Sequence, residues 1–478
     1  MISRLFAGVE AVHQRRKRVK REVSMKKILT ALALATMILA PMEQAQAGDR
    51  LLEILKGKGI ITEEQFQELE KEAKKEVKVS YKDGFKMESE DKEFSLKVNG
   101  RVQGDFRYFN DSEKNDTFDI RRAYLSASGT LYKYYDYKVE VDFAGSNGTS
   151  STIKDAYINY KYFKDAQVKI GQFYFPFGNE VTASDRFYVF LESSSIVAAL
   201  APGRDRGIEV HGSPMNGLIS YQVGIFNGSG ENRSETNDDF EYAARVVFHP
   251  TAGSEGPLQA WIGGSFAYGQ EESLSAGGIR VSTESKSGNN YFSSAAASHG
   301  YERTRMGLEG ALQYGPAMLK GEFLRTEYDF EKKADIEGGY ITASWFLTGE
   351  QKNISRDGHI ERQKVKKPFD PSKRQWGAWE LAVRYSWFEV DDKFFQANGL
   401  YPGSPAASAT ANANEGDSWT AAINWYLNSM TRVMVDWVHS EASNDLSGGT
   451  SNIWKHDGDS VADTDAEDAL LMRVQIDW

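Results

Sequence analysis

The stretch Phe94-Ser95-Leu96-Lys97-Val98-Asn99-Gly100-Arg101-Val102-Gln103-Gly104-Asp105-Phe106-Arg107-Tyr108 alternates without a break. Its even positions are apolar or small and its odd positions are polar. A period of two is the signature of a β-strand with one apolar and one wet face. The run is far longer than the five or six residues of an ordinary globular strand. The wall of a transmembrane β-barrel demands both properties, because one side of each strand meets lipid and the other meets water in the lumen.

Outward from this stretch the pattern repeats. Sixteen alternating segments can be marked between residues 94–108 and 467–478, among them 118–131, 135–144, 301–314, 337–348 and 376–390. Sixteen is even, as a single-chain outer-membrane barrel requires. The connections sort into two kinds. Residues 132–134, 213–216, 314–316 and 428–429 are tight turns, whereas 227–239, 270–300, 391–417 and 442–466 are long and rich in Gly, Ser, Asn and Asp. Short at one end and long at the other is the periplasmic against extracellular asymmetry of such barrels. One connection, 349–375, is long on the short side. Aromatic residues cluster near strand ends, as at Tyr132 with Tyr134-Tyr135 and at Trp425-Tyr426, where interfacial girdles place them. The chain ends on an alternating strand that closes at Trp478.

The N-terminal side reads differently. Met25-Lys26-Lys27, the apolar stretch Ile28–Ala40 and Ala45-Gln46-Ala47 form the three parts of a secretory signal peptide, with cleavage expected after Ala47. Residues 1–24 either lengthen the basic leader or precede a true start at Met25, the reading adopted here. Residues 48–80 are expected to be a periplasmic helical segment: Thr62-Glu63-Glu64-Gln65 is a capping box, flanked by Ile61 and Phe66 as a hydrophobic staple. Residues 81–478 are then the barrel.

Composition narrows the function classes. The 478 residues include no Cys, which removes disulfide and thiol chemistry. Residues 1–47 hold nine Lys/Arg and three Asp/Glu, so their removal takes the formal charge from −11 to −17, which argues against a nucleic-acid partner. The seven His residues show no metal spacing, and neither a Gly-x-Ser-x-Gly nor a phosphate-cradling glycine loop appears. Glu192, Glu309, Glu322 and Glu350 read as members of lumen salt bridges rather than as hydrolytic pairs. The acidic set Asp457, Asp459, Asp463, Asp465, Glu467 and Asp468 lacks the spacing of a calcium loop and reads as a solvated loop. No catalytic residue, metal or cofactor is expected.

Charge on the wet phase carries the functional reading. With even positions toward lipid, Arg101 and Arg107 point into the lumen; Arg122, Lys138, Lys161 and Lys169 do so on the following strands, and Arg121 can reach either phase. Guanidinium forks suit phosphate oxygens, and a series of weak sites would pass an anion along. Asp105, Asp136, Glu140, Asp142 and Asp155 share the same phase, so a non-selective wall stays open as a reading.

Several motifs resemble the phosphate-selective porin O and P family. They are Phe118-Asp119-Ile120-Arg121-Arg122-Ala123-Tyr124-Leu125, Lys169-Ile170-Gly171-Gln172-Phe173 with Pro176-Phe177-Gly178, Phe190-Leu191-Glu192, Pro202-Gly203-Arg204-Asp205-Arg206-Gly207, Phe346-Leu347-Thr348-Gly349-Glu350, Gly377-Ala378-Trp379-Glu380-Leu381-Ala382-Val383-Arg384-Tyr385-Ser386 and Trp425-Tyr426-Leu427-Asn428. Together they run in family order over roughly Gly84 to Trp478. The resemblance implies a sixteen-stranded outer-membrane barrel, a homotrimer, and a third extracellular loop, here about Pro176 to Arg204, that folds inward. The apolar run Phe187-Tyr188-Val189-Phe190-Leu191 agrees, since it needs a wall to pack on. On that loop Ser184 and Arg186 are the expected anion contacts and Asp185 the opposing charge. The chain departs from the family pattern at Ser193, where Arg is usual, at Asp185, and at Trp478, where Phe is usual. The expected role is passive diffusion of small hydrophilic solutes with anions such as phosphate preferred. The alternatives are a general porin, or a structural or adhesive barrel. An exposed-loop lysine such as Lys286 is expected to lie away from the constriction.

Overall fold

The computed structural model describes residues 62, 77–81, 84–110, 115–145, 151–233, 235, 238–287, 289–408, 412–443 and 466–478. The expected signal peptide, the capping box at 62–65 apart from Thr62, and Asp457, Asp459, Asp463 and Asp465 lie outside the described residues.

Sixteen strands form the wall: β1 Ser95–Asn110, β2 Thr117–Leu131, β3 Tyr135–Asp142, β4 Thr152–Tyr160, β5 Gln167–Tyr174, β6 Arg204–Gly212, β7 Ile219–Phe226, β8 Glu241–Phe248, β9 Leu258–Glu271, β10 Tyr301–Tyr314, β11 Ala317–Asp329, β12 Lys333–Phe346, β13 Ala378–Val390, β14 Glu415–Tyr426, β15 Thr431–Ser443 and β16 Ala466–Asp477. Each pairs antiparallel with the next, and β16 pairs with β1 from Asp468↔Asn110 to Asp477↔Arg101, so the sheet closes on itself. Closure leaves every strand with two neighbours and no open edge facing lipid. Most boundaries fall within a few residues of those expected, but the helical segment expected over 48–80 gives way at its end to a short strand, Lys78–Tyr81, which pairs with Phe85–Glu88, itself paired with the start of β1 from Phe85↔Val98 to Glu88↔Ser95. The segment marked 337–348 begins earlier, at Lys333, because β11 and β12 meet in a tight turn that extends their ladder to Asp329↔Lys333.

The period of two sorts side chains as lipid would demand. Outward positions are apolar and open: Ile158 is 54% exposed, Ile170 57%, Ile262 62% and Leu308 62%. Inward positions are polar and covered: Arg101, Gln103, Asp105 and Arg107 on β1, Glu209 on β6, Asn424 on β14 and Arg473 on β16 are all buried. A water-soluble domain would place these two sets the other way round.

Three long connections fill the lumen. The loop 175–203 follows β5, the loop 272–300 follows β9, and the turn 347–377 links β12 to β13. The second carries a short hairpin, Arg280–Ser282 with Asn290–Ser293. An apolar cluster joins the loops to the wall. It includes Phe175, Phe177, Ile196 and Val197 from the first, Tyr291 and Phe292 from the second, and Phe388 from β13. Only the first of these insertions was legible as an inward loop. Residues 272–300 read as a solvated extracellular connection, but Ile279, Val281, Tyr291 and Phe292 are buried. Their side chains need apolar cover that only the inward fold supplies.

Candidate pore constriction

The loop 175–203 is anchored by its apolar residues. Leu191 is fully buried among Phe109, Met434, Val438, Ala469 and Leu471 on β1, β15 and β16. Phe190 packs on Ala382 and Ala422, with the Arg384 guanidinium 4.5 Å from its ring centre. The helix α1, Ser195–Leu200, starts at Ser194, whose side chain accepts the Val197 amide at 3.4 Å, and buries Ile196 and Val197 in the large cluster.

Wall side chains then hold the loop backbone. Arg432 donates to the carbonyl oxygens of Tyr188 (2.7 Å) and Arg186 (2.9 Å), and Gln475 to that of Arg186 (3.0 Å). Arg473 donates to Leu191 (2.5 Å) and Arg384 to Glu192 (3.1 Å). The Leu191 amide donates to Asp436 at 2.7 Å. A loop inside a barrel cannot rely on ladder partners, so its carbonyls need fixed donors. Arg384, Arg432 and Arg473 supply them. Sequence reasoning missed these three, although each lies on the lumen phase of its strand.

Two loop carboxylates meet the expected cationic set. Glu192 accepts from Arg121 at 2.7 and 3.0 Å, from Arg107 at 3.0 Å and from Arg473 at 3.2 Å, with Arg122 at 3.9 Å. Asp185 pairs with Arg101 at 2.5 Å and with Arg122. Burial opposes ionisation of both, but the surrounding guanidinium groups outweigh it. They hold the Asp185 and Glu192 carboxyls well below the usual range. Arg121 reaches Glu192 through a β-bulge. The β1–β2 register runs Gln103↔Arg122 and then Gly104↔Ile120, leaving Arg121 as the extra residue. The bulge lets two consecutive arginines point inward while Ile120 stays outward and 55% exposed.

The remaining wall cations are engaged as well. Lys138 lies 2.5 Å from Asp155 and 3.4 Å from Glu140, Lys161 2.5 Å from Asp136, and Lys169 3.0 Å from Glu209. The expected pore-lining residues Arg101, Arg107, Arg121, Arg122, Lys138, Lys161 and Lys169 are therefore all engaged. All face the lumen, and each has a carboxylate partner there. Low dielectric makes an unpaired buried charge costly, so the wall neutralises itself. Ser184 precedes the short 3-10 turn Asp185–Phe187, and its side chain makes no capping bond.

Arg186 stands apart. Among the described residues its guanidinium has no carboxylate within ion-pair distance, and its Nε is buried without a hydrogen-bond partner. Burial and the neighbouring Arg101 both depress its pKa from the ordinary arginine value; a guanidinium still remains charged near neutrality. It opens onto a cavity of about 950 Å³ that Lys97, Lys352, Arg362 and Lys364 also line, against Glu255 and Glu361. Arg362 pairs with Asp477, and Lys352 with Glu380.

Lys286 is a correction. It is half-buried in the inward loop 272–300, with φ of 56°. Burial lowers its ammonium pKa, and the Glu192 carboxylate works against that effect. It sits in the field of the constriction rather than on an exposed loop.

The glutamates divide in role. Glu309 pairs with Arg245 at 2.6 Å, as a lumen salt bridge should. Glu322 lies 3.9 Å from Lys320 and also accepts the amides of Asn179 and Glu180, each at 2.7 Å, and the Tyr340 hydroxyl at 2.6 Å. Glu350 accepts from Thr348 and from the Lys366 amide. Among the described residues no cluster of His, Asp and Glu has a metal-binding arrangement.

Comparison with known proteins agrees with the architecture. The family described as phosphate-selective porin O and P matches residues 96–469. Porin O of Pseudomonas aeruginosa is 25% identical over 435 residues, covering 84% of this chain and 92% of that protein. An uncharacterised protein of Aquifex aeolicus is 23% identical over 405 residues, 77% and 87% of the two chains. Among solved structures, OmpT, an outer membrane protein of Vibrio cholerae, superposes with a TM-score of 0.50 at 11% identity, covering 80% of this chain and 98% of that one, a likeness of fold. The closed sixteen-stranded wall, its apolar belt and the inward loop thus converge with the family match: the chain is an outer-membrane porin and belongs to the phosphate-selective porin O and P family.

Proposed function

We propose that this porin conducts small anions in preference to cations, that phosphate is among them, and that Arg186 sets the preference. The carrying observation is charge pairing at the constriction. The wall cations Arg101, Arg107, Arg121, Arg122, Lys138, Lys161 and Lys169 each pair with a carboxylate, and Arg432 is taken up by the carbonyls of Tyr188 and Arg186, whereas Arg186 faces an open cavity with no carboxylate partner among the described residues. An unpaired charge at a narrow point is poorly screened and acts strongly on a passing ion. Its planar fork suits a tetrahedral oxyanion. The name of the related porin family supports the phosphate reading. Asp185 opposes it by occupying Arg101 and Arg122.

The protein acts as a passive channel and not as an enzyme, it works as a homotrimer in outer-membrane lipid, and the segment that precedes the strand Lys78–Tyr81 is periplasmic. Reversal potentials across a planar bilayer in a salt gradient test the selectivity. Wild-type protein should reverse on the anion side, with inorganic phosphate blocking chloride current. Reversal at zero potential would leave a general porin, and absence of discrete conductance steps would leave a structural barrel.

A further inference from the structure

Among the contacts of the turn 347–377 with the constriction loop is one side chain whose hydrogen-bond geometry determines its protonation. His359 places Nε2 2.9 Å from the Thr182 hydroxyl and Nδ1 3.1 Å from the Asp357 carboxylate. The same Thr182 oxygen lies 2.6 Å from the carbonyl oxygen of Gly178 and 3.2 Å from that of Asn179. A hydroxyl has one proton, and a carbonyl has none. Two oxygens at 2.6 Å require a proton between them, so the Thr182 proton goes to Gly178. The Thr182 oxygen is then an acceptor toward His359, and Nε2 must donate. The carboxylate of Asp357 needs a donor at Nδ1 as well. Only the imidazolium donates from both nitrogens.

The ring is presented rigidly. Ser355 and His359 exchange backbone bonds across a small loop, with Ser355 N to His359 O at 2.9 Å and His359 N to the Ser355 hydroxyl at 3.0 Å. Between them Gly358 has φ of +82°, and a Cβ there would lie 2.6 Å from the Trp261 indole nitrogen, so this tight bend requires glycine. A second bond, Asn179 Nδ2 to Gly358 O at 3.1 Å, runs beside the first.

We infer that His359 is a positioning residue of the pore, a protonated tie that holds the turn 347–377 against residues 178–182 and so fixes the loop carrying Asp185 and Arg186. Charged groups face the ring from every neighbouring element. Asp357 and Glu361 lie on its own turn, Glu180 on the constriction loop, and Glu309 and Glu322 on the wall. The cations facing this cluster are Arg245, taken up by Glu309 and by the Asp357 carbonyl, Lys320 beside Glu322, and Lys364 on the same turn. Losing the proton removes one donor from a ring that has two acceptors to serve. One of the two contacts then fails, and the loop gains freedom.

The inference rests on the pore reading above but not on its anion preference, and the test separates them. Full-length porin in planar bilayers is recorded from about pH 5 to about pH 9. Open-channel noise and the voltage threshold for closure are read alongside the reversal potential. Wild-type noise should rise severalfold, and the threshold fall, as pH increases. His359→Gln should be noisy and insensitive to pH throughout. Thr182→Val, which leaves the ring intact, should behave in the same way, and Thr182→Ser should restore the wild-type profile. Ring ¹⁵N shifts should report both nitrogens protonated at the acid end. Wild-type pH dependence persisting in His359→Gln, or a neutral ring at the acid end, overturns the tie. A zero reversal potential with the noise profile intact would instead sink the anion reading and leave the tie standing.

Discussion

At the scale of single residues, the pore divides its charges between holding and attracting. Arg384, Arg432 and Arg473 hold loop carbonyls, Arg101, Arg107, Arg121 and Arg122 hold loop carboxylates, and Arg186, the proposed selective charge, has no carboxylate partner among the described residues. Arg186→Ala should lower the anion-to-cation permeability ratio roughly fivefold, the effect of removing about 1 kcal/mol of attraction at a screened constriction. Asp185→Ser should act in the other direction, because it releases two guanidinium groups; anion preference and block by phosphate should both increase. An unchanged reversal potential in Arg186→Ala would show that the selective charge lies elsewhere. Lys286 cannot serve as a neutral control for these measurements, since it lies in the field of Glu192; an exposed lysine such as Lys332 can. A pH prediction follows from the depressed carboxyls. Asp185 and Glu192 titrate below their unfolded values of about 4, so their ion pairs contribute fully above that range and are lost only as pH falls through the lower folded values. In His359→Gln, where the tie is absent, reversal potential should therefore stay constant from about pH 8 down to about pH 5, and a shift within that window would show that one carboxylate is not paired as described.

At the scale of elements, the inward loop is attached by a few apolar side chains, and Leu191, like Phe175, Phe177 and Ile196, is fully buried. Leu191→Ala should cost about 2–5 kcal/mol of loop anchoring, as for other buried Leu truncations. The wall pairs without the loop, so the barrel should still fold. Larger, noisier conductance with unchanged heat-modifiability is the expected outcome, and loss of the folded band on unheated gels would show that the loop supports the wall. The β2 bulge is a second element-scale device. Deleting Arg121 should keep Ile120 outward and Arg122 inward, because the flanking register is already continuous around it, and should weaken only the contact with Glu192. The alternation that revealed β1 could not reveal the bulge. Both arginines read as polar, and only pairing with Gly104 and Gln103 shows that one residue is extra.

At the scale of the whole molecule, closure of β16 on β1 satisfies the ladder bonds of both terminal strands, which is why the folded barrel should resist detergent until heated. Cross-linking in mild detergent should yield a trimer, and exclusively monomeric product would contradict the proposed assembly. The barrel itself was plain in the sequence, because lipid and water impose their difference on alternate residues and thereby write strand count, strand boundaries and lumen phase into the chain. Arg101, Arg107, Arg122, Lys138, Lys161 and Lys169 were all placed on the correct side by that rule, and the apolar run 187–191 marked the inward loop. What only the tertiary structure decided is which charges remain free. Asp185 and Glu192 come from a loop far from β1 and β2 in sequence, and the turn 347–377 and the loop 272–300 enter the lumen through contacts that no local period encodes. Periodicity reports the solvent on each side of a strand; the pairing of charges across the lumen depends on distances between segments, and those exist only once the barrel has closed around its loops.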